Sequence, residues 1–153
     1  MKNFIMTLVA VFGIAGAANA VTIYEEDFTG QDGQGKDGTN PVDTSGVNWT
    51  VDVADGEFTA SSDFFVVNSG VFEGQDTDAQ LPDLVTWQSP SFSIATYENL
   101  SFSFDAAATG DFEAGNDEYI VEFLIDGTPQ TLFDATVDES VTDDPMFFGT
   151  TQL

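Results

Sequence analysis

Apolar residues recur at every second position in short runs along this chain, and no run keeps a helical period over twelve residues. The clearest alternation lies between Asn99 and Gly127. Leu100, Phe102, Phe104 and Ala106 alternate with Ser101, Ser103 and Asp105, which predicts a strand with one apolar and one polar face. Tyr119, Val121, Phe123 and Ile125 share one side of a second run, and Ile120, Glu122 and Leu124 the other. That predicts a central strand covered on both faces, with the first run beside it as the organising pair. The loop between them, Thr109 to Glu118, is small and acidic, and Asp126-Gly127 predicts a tight turn into a return strand over Gln130 to Phe133.

The remaining segments read as strands that pack against this pair. Val21 to Phe28 predicts an opening strand. Thr29 to Gly46 is a long loop with no apolar periodicity, of the kind that is functional or mobile in a compact domain. Trp49, Val51 and Val53 share one face, and Asp55-Gly56 predicts a hairpin returning over Glu57 to Ala60. Phe64 to Val67 is a continuous apolar run, hence a buried strand, and Asn68 to Gly70 turns it into Val71-Phe72-Glu73. Acidic Gly74 to Asp83, a Trp87 segment broken by Pro90, a short strand over Ser91 to Ala95, acidic Asp134 to Asp144 and apolar Met146 to Phe148 complete the chain. Short strands spaced roughly eight to twelve residues apart predict an all-β fold, an antiparallel β-sandwich of jelly-roll type.

The first twenty residues stand apart from this pattern. Lys2 supplies a positive start, Phe4 to Ala17 an apolar core, and Ala18-Asn19-Ala20 a small-residue cleavage site, the layout of a secretory signal peptide. The expectation is a leader over 1–20, outside the fold, and one domain over 21–153, secreted to the extracellular space or cell surface with no membrane insertion of the mature chain. Cysteine is absent, so neither disulfides nor a lipid-anchoring cysteine contribute.

Charge narrows the partners. The chain holds 27 acidic residues against 2 bases, and one of those bases, Lys2, lies in the leader. Such a charge repels nucleic acid and anionic membranes, and it calls for high ionic strength or divalent cations to relieve self-repulsion. Aromatic residues make up 13% of the chain, enough to build a core and to set disorder aside.

Histidine, cysteine and arginine are all missing, which removes Ser-His-Asp and Cys-His catalysis, zinc sites built on His or Cys, and arginine clamps on phosphate. A carboxylate pair of the glycosidase kind is the catalytic chemistry that remains. Calcium fits the residues better, because hard cations take oxygen ligands from flexible acidic loops. Three clusters supply them: Glu25, Glu26 and Asp27; then Glu73, Asp76 and Asp78; then Asp111, Glu113, Asn116, Asp117 and Glu118. None is an EF-hand loop, since Leu81 occupies the glycine position counted from Asp76. Solvated loop charge in an acidic protein is the alternative account of all three. For a sugar ligand the candidates are Trp87, between Thr86 and Gln88, and Tyr97 beside a turn; Trp49 alternates with valines and belongs to the core.

Several short motifs occur in a suggestive order: Glu25-Glu-Asp-Phe28, Val47-Asn-Trp-Thr-Val51, Ser62-Asp-Phe-Phe65, Phe72-Glu-Gly-Gln-Asp-Thr-Asp78, Thr86-Trp-Gln-Ser-Pro90, Ser93-Ile-Ala-Thr-Tyr97, Leu100-Ser-Phe-Ser-Phe104, Asp117-Glu-Tyr-Ile120 and Leu124-Ile-Asp-Gly127. Together they resemble the jelly-roll modules, similar to carbohydrate-binding or concanavalin-like sandwiches, near the N-termini of large secreted surface proteins of marine bacteria and Bacteroidetes. The resemblance implies a non-catalytic module for glycan binding or adhesion, with a purely structural spacer and a glycoside hydrolase fragment as alternatives. It also implies a polysaccharide or cell-surface glycan as partner. Such modules close with further strands and an Asp-Asn-Ile-like motif that this sequence lacks, so a C-terminally incomplete domain with downstream domains on the same polypeptide is expected.

Overall fold

The computed structural model describes residues 3–7, 21–77, 84–141, 144–148 and 151–152. These form twelve strands: β1 (Asn3–Thr7), β2 (Gly35–Asp37), β3 (Thr50–Asp52), β4 (Phe64–Asn68), β5 (Val71–Gln75), β6 (Thr86–Gln88), β7 (Asp105–Thr109), β8 (Ile120–Ile125), β9 (Thr128–Asp134), β10 (Thr136–Val137), β11 (Met146–Phe148) and β12 (Thr151–Gln152). Every pairing is antiparallel, and no helix occurs among the described residues. A five-stranded sheet runs β2-β4-β5-β1-β7; β10-β11-β12, β3-β6 and β8-β9 make smaller sheets.

The β4–β5 hairpin lies at the middle of this arrangement. Its turn is Ser69-Gly70, with φ of 53° and 75°, so both central residues take the left-handed geometry whose twist suits a two-residue hairpin. Asp126-Gly127 does the same between β8 and β9, at φ of 50° and 76°. From β4 and β5, Phe65, Val67 and Phe72 face a buried aromatic cluster completed by Phe28 and Trp49. Trp87 of β6 packs against its side, with ring centroids 5.8 Å from Phe28, 6.3 Å from Trp49 and 6.5 Å from Phe72.

Phe28 reaches this cluster in a conformation that L-residues avoid, with φ of 56°. Neighbouring carboxylates hold the backbone there. Glu26 Oε1 accepts the Phe28 N–H at 2.9 Å, and Asp27 Oδ1 accepts that of Thr29 at 2.9 Å. Glu26 is itself buried and tied to the core: it accepts from Gln31 Nε2 at 2.7 Å and from the Tyr24 hydroxyl at 3.4 Å, while Gln31 Oε1 accepts from Trp49 Nε1 at 2.6 Å. Burial, then the Glu26 charge and hydrogen bond, push the Tyr24 hydroxyl well above its ordinary range, so Tyr24 stays a donor.

Asp63, 5% exposed, plays a comparable part before β4. Its carboxylate accepts the N–H groups of Thr59 and Ala60, both at 2.7 Å, and the Ser62 hydroxyl at 3.0 Å. These bonds hold its pKa below the usual carboxylate range against the opposing effect of burial. On β2, Lys36 places its ammonium 5.4 Å from the centroid of the Phe58 ring and donates to the carbonyl of Asn40.

Several expected elements differ. Leu100 to Phe104 and Tyr119 to Ile125 do not pair with each other: β7 begins at Asp105 and pairs with β1, and β8 pairs with β9. They touch through side chains instead, the rings of Phe102 and Phe123 lying 4.7 Å apart and edge-on. Nor is β8 central: among the described residues its one ladder is to β9, and its far end leaves Leu124 and Ile125 more than half exposed. Val21 to Phe28 and Ser91 to Ala95 form no strand. The Asp55-Gly56 turn forms, but β3 pairs with β6, and Glu57 donates its N–H to Thr77 rather than returning along β3. The long Thr29 to Gly46 segment is sheet-bound: it carries β2, and Gly33 and Gln34 bond to Val67. The reason is backbone pairing, which needs no apolar periodicity where the neighbouring strand supplies the hydrogen bonds.

Asn3–Thr7 also departs from the expectation that residues 1–20 stand outside the fold. In the full chain it is β1, paired to β5 from Phe4↔Gly74 to Met6↔Phe72 and to β7 from Asn3↔Thr109 to Thr7↔Asp105. An apolar, β-prone run serves a leader and a sheet equally well on composition.

Candidate functional site

Carboxylates from two loops approach one another, one loop lying between β7 and β8 and the other between β10 and β11. Phe112, 4% exposed, anchors the first loop and donates its N–H to the carbonyl of Asp144 in the second. The first loop is wound around Glu113, whose carbonyl accepts from Asn116 and Asp117 and whose N–H donates to Asp117 Oδ2 at 2.7 Å. The second is held by Asp138, whose Oδ1 accepts the Ser140 N–H at 3.0 Å; the Ser140 bonds hold Asp138 below the ordinary range. Glu139 Oε1 then reaches across to the Ala114 N–H at 3.1 Å, closing the two loops on each other.

This closure brings carboxylates toward one another, while Lys36, the base among the described residues, is engaged with Phe58 and Asn40. Asp144 is hydrogen-bonded to Asp111, and its carboxyl is pushed above the usual range. Removal from water is the first cause, then the Asp111 hydrogen bond and charge, then the charges of Glu139 and Glu113. Two carboxyls this near repel when both are ionised, and a proton or a cation between them relieves that repulsion. Asp144 also sits at φ of 34°, in left-handed backbone.

The sign of the linkage follows from that direction. A carboxyl whose folded pKa is raised favours the folded state below its unfolded value, and that contribution is lost as pH rises through the raised value. Asp144→Asn is therefore expected to raise the melting temperature at about pH 7, where the wild-type pair repels, and to change it little at about pH 3, where the wild-type carboxyl is protonated. Thermal melts of both proteins at the two pH values check this; an equal shift at both would deny the repulsion. Asp43, Asp63 and Asp138 carry the opposite sign, their pKa values being lowered by hydrogen bonds, so their stabilisation fades as pH falls through those lowered values.

The structure distributes the expected ligands unevenly. Asp111 and Asp117 belong to this loop pair; Glu118 is exposed at its end. Glu25 and Asp27 are exposed on either side of buried Glu26. Glu73 lies on β5 and accepts from Asn68 Nδ2 at 3.1 Å, Asp76 follows β5 at φ of 45°, and Asp78 lies outside the described residues. Among the described residues, no three acidic side chains stand together as a ready-made metal site. Glu139 and Asp144 were not singled out by sequence; only the folding of one acidic loop onto another marks them. Of the candidate sugar-stacking rings, Trp87 is half-buried in the aromatic cluster, and Tyr97 is half-buried at a turn where its N–H donates to the Ile94 carbonyl at 3.0 Å.

Among the described residues no helix is long and apolar enough to cross a membrane. Comparison with family models, curated proteins and solved structures finds no match to this chain.

Proposed function

We propose that this chain is a secreted, non-catalytic β-sandwich module of jelly-roll type that loses residues 1–20 on export. In this reading it binds calcium at the paired acidic loops, and the cation-stiffened module serves glycan binding or surface adhesion. The observation that carries the reading is the folding of two acidic loops onto each other, with the Phe112 N–H on the Asp144 carbonyl and the Ala114 N–H on Glu139, which sets the Asp144 carboxyl near Asp111, Glu113 and Glu139. Calcium takes oxygen ligands from flexible loops and would relieve the repulsion between these carboxylates. A glycosidase needs its carboxyls about 5 Å apart or more, wider than a hydrogen-bonded pair, so the contact favours a cation over a scissile sugar bond.

The test is thermal unfolding in calcium against sodium chloride of matched ionic strength. Specific binding stabilises by mass action, by about 2.7 kcal/mol at a hundredfold excess over Kd, whereas sodium chloride only screens. The increment from calcium is expected to shrink in Asp111→Asn and Asp144→Asn, while a Glu25→Gln variant keeps it. Equal gains from the two salts would refute the reading. The packing of Trp87 against Phe28, Trp49 and Phe72 favours a second reading, a structural spacer with no glycan ligand. A glycan array probed with the calcium-loaded protein separates the two.

A further inference from the structure

We propose that the gap between β5 and β7, filled in the full chain by Asn3–Thr7, is a strand-acceptor site for an apolar strand of another polypeptide once the leader is cut away. The proposal rests on the leader reading of residues 1–20 and adds to it a binding function. Three observations carry it.

First, β1 is the sole ladder partner of β7 among the described residues and the sole link between β7 and the rest of the sheet. Removing it opens one edge of β5 and takes from β7 the ladder it has among the described residues, so the N–H and C=O groups that bonded to β1 on both sides lose that partner. Second, the gap has the dimensions of one strand. Its occupant is antiparallel to both neighbours, with Phe4, Ile5 and Met6 in register with both at once. Third, the walls are shaped for large apolar residues at alternate positions. Phe4 is in register with Gly74 on one side and Ala108 on the other, both buried, and Met6 with buried Phe72 and half-buried Ala106. Small residues on both walls flank the Phe4 position, and the Met6 position adjoins the aromatic cluster through Phe72.

The occupant is therefore an extended segment of about five residues with apolar side chains at two alternate positions, bound by main-chain hydrogen bonds as a donated strand. The leader strand is a template for it. Acidic residues at those two positions are excluded, because they would bury charge beside Phe72 and Ala108.

The full chain, carrying a specific protease site between Ala20 and Val21, is the material for the test. It is folded, cut, unfolded in urea and refolded with a tenfold excess of a fluorescent synthetic peptide spanning residues 1–9. The proposal expects one labelled peptide per domain on gel filtration, half-saturation on the order of micromolar, and a higher melting temperature than the cut domain without peptide. A peptide with Phe4→Asp and Met6→Asp is expected to bind at least tenfold more weakly. Absence of labelled peptide from the domain overturns the proposal, whether the cut domain stays folded, unravels or pairs with a second copy. Equal uptake of the two peptides overturns it as well. Because the cut is engineered, none of these results depends on natural processing, which N-terminal sequencing of the exported protein reads separately.

Discussion

Phe72→Ala is expected to cost about 3–5 kcal/mol of unfolding free energy, a large share of the stability margin of an ordinary domain. The ring is fully buried and meets four others: Phe65 at 4.7 Å, Phe28 and Trp49 at 5.5 Å each, and Trp87 at 6.5 Å. Its contacts with Trp49 and Phe65 are near-perpendicular, at 89° and 85°, the edge-to-face geometry that adds to simple area burial. Truncation leaves a hole ringed by aromatic side chains fixed on separate elements, so little collapse can fill it. Phe72→Leu keeps most of the volume and should lose roughly half as much. Denaturant titration distinguishes the two: the midpoint should fall in the order wild type, Leu, Ala with an unchanged slope. A loss below about 1 kcal/mol for Ala would mean that Phe72 is not the hub of the core.

Gly35→Ala should be comparably damaging for a backbone reason, at about 2–5 kcal/mol when the positive-φ and overpacking penalties are combined. Gly35 has φ of 123°, outside the range of L-residues, and a Cβ there would approach the Phe65 carbonyl and stand 2.8 Å from Val66 Cα. Both obstacles are main chain of β4, which cannot rotate aside. Gly35 is also bonded on its other side, exchanging N–H···O bonds with Asp43 at 2.6 and 2.8 Å, so it cannot retreat. Gly70→Ala is the control: it too sits at positive φ, 75°, but in open space, and should cost only about 1–2 kcal/mol. Similar losses for the two variants would show that the close approach to β4 is absent in solution.

What the sequence made legible was local. The apolar run of Phe64 to Val67, the turn at Asn68 to Gly70 and the Asp126-Gly127 hairpin all formed, because each is specified by adjacent residues with distinctive turn chemistry. Partner choice was not legible. Residues 101 to 108 do alternate between exposed and shielded as their sequence pattern requires, yet only Asp105–Thr109 joins a ladder. Period two reports which face is buried, and it does not say which strand, if any, an extended segment will pair with. The nearness of Asp111 and Asp144 was hidden for a related reason: each loop reads as generic acidic turn, and the two are joined by long-range bonds, the Phe112 N–H to the Asp144 carbonyl and the Ala114 N–H to Glu139.

The position of Lys36 has a consequence for how the folded chain meets a protease. Trypsin-like proteases cut after lysine or arginine, and the chain has 2 such residues, Lys2 and Lys36. The peptide bond after Lys36 lies inside β2, where Lys36 and Asp37 are in register with Phe65 and Phe64 and the ammonium is occupied by Phe58 and Asn40. A protease cleft accepts an extended segment that has left its sheet, so cutting at this bond waits on the opening of β2. The acidic composition leaves few such bonds, and the pairing of β2 with β4 shields the one after Lys36 while the sheet holds, in a chain with no cysteine to staple it.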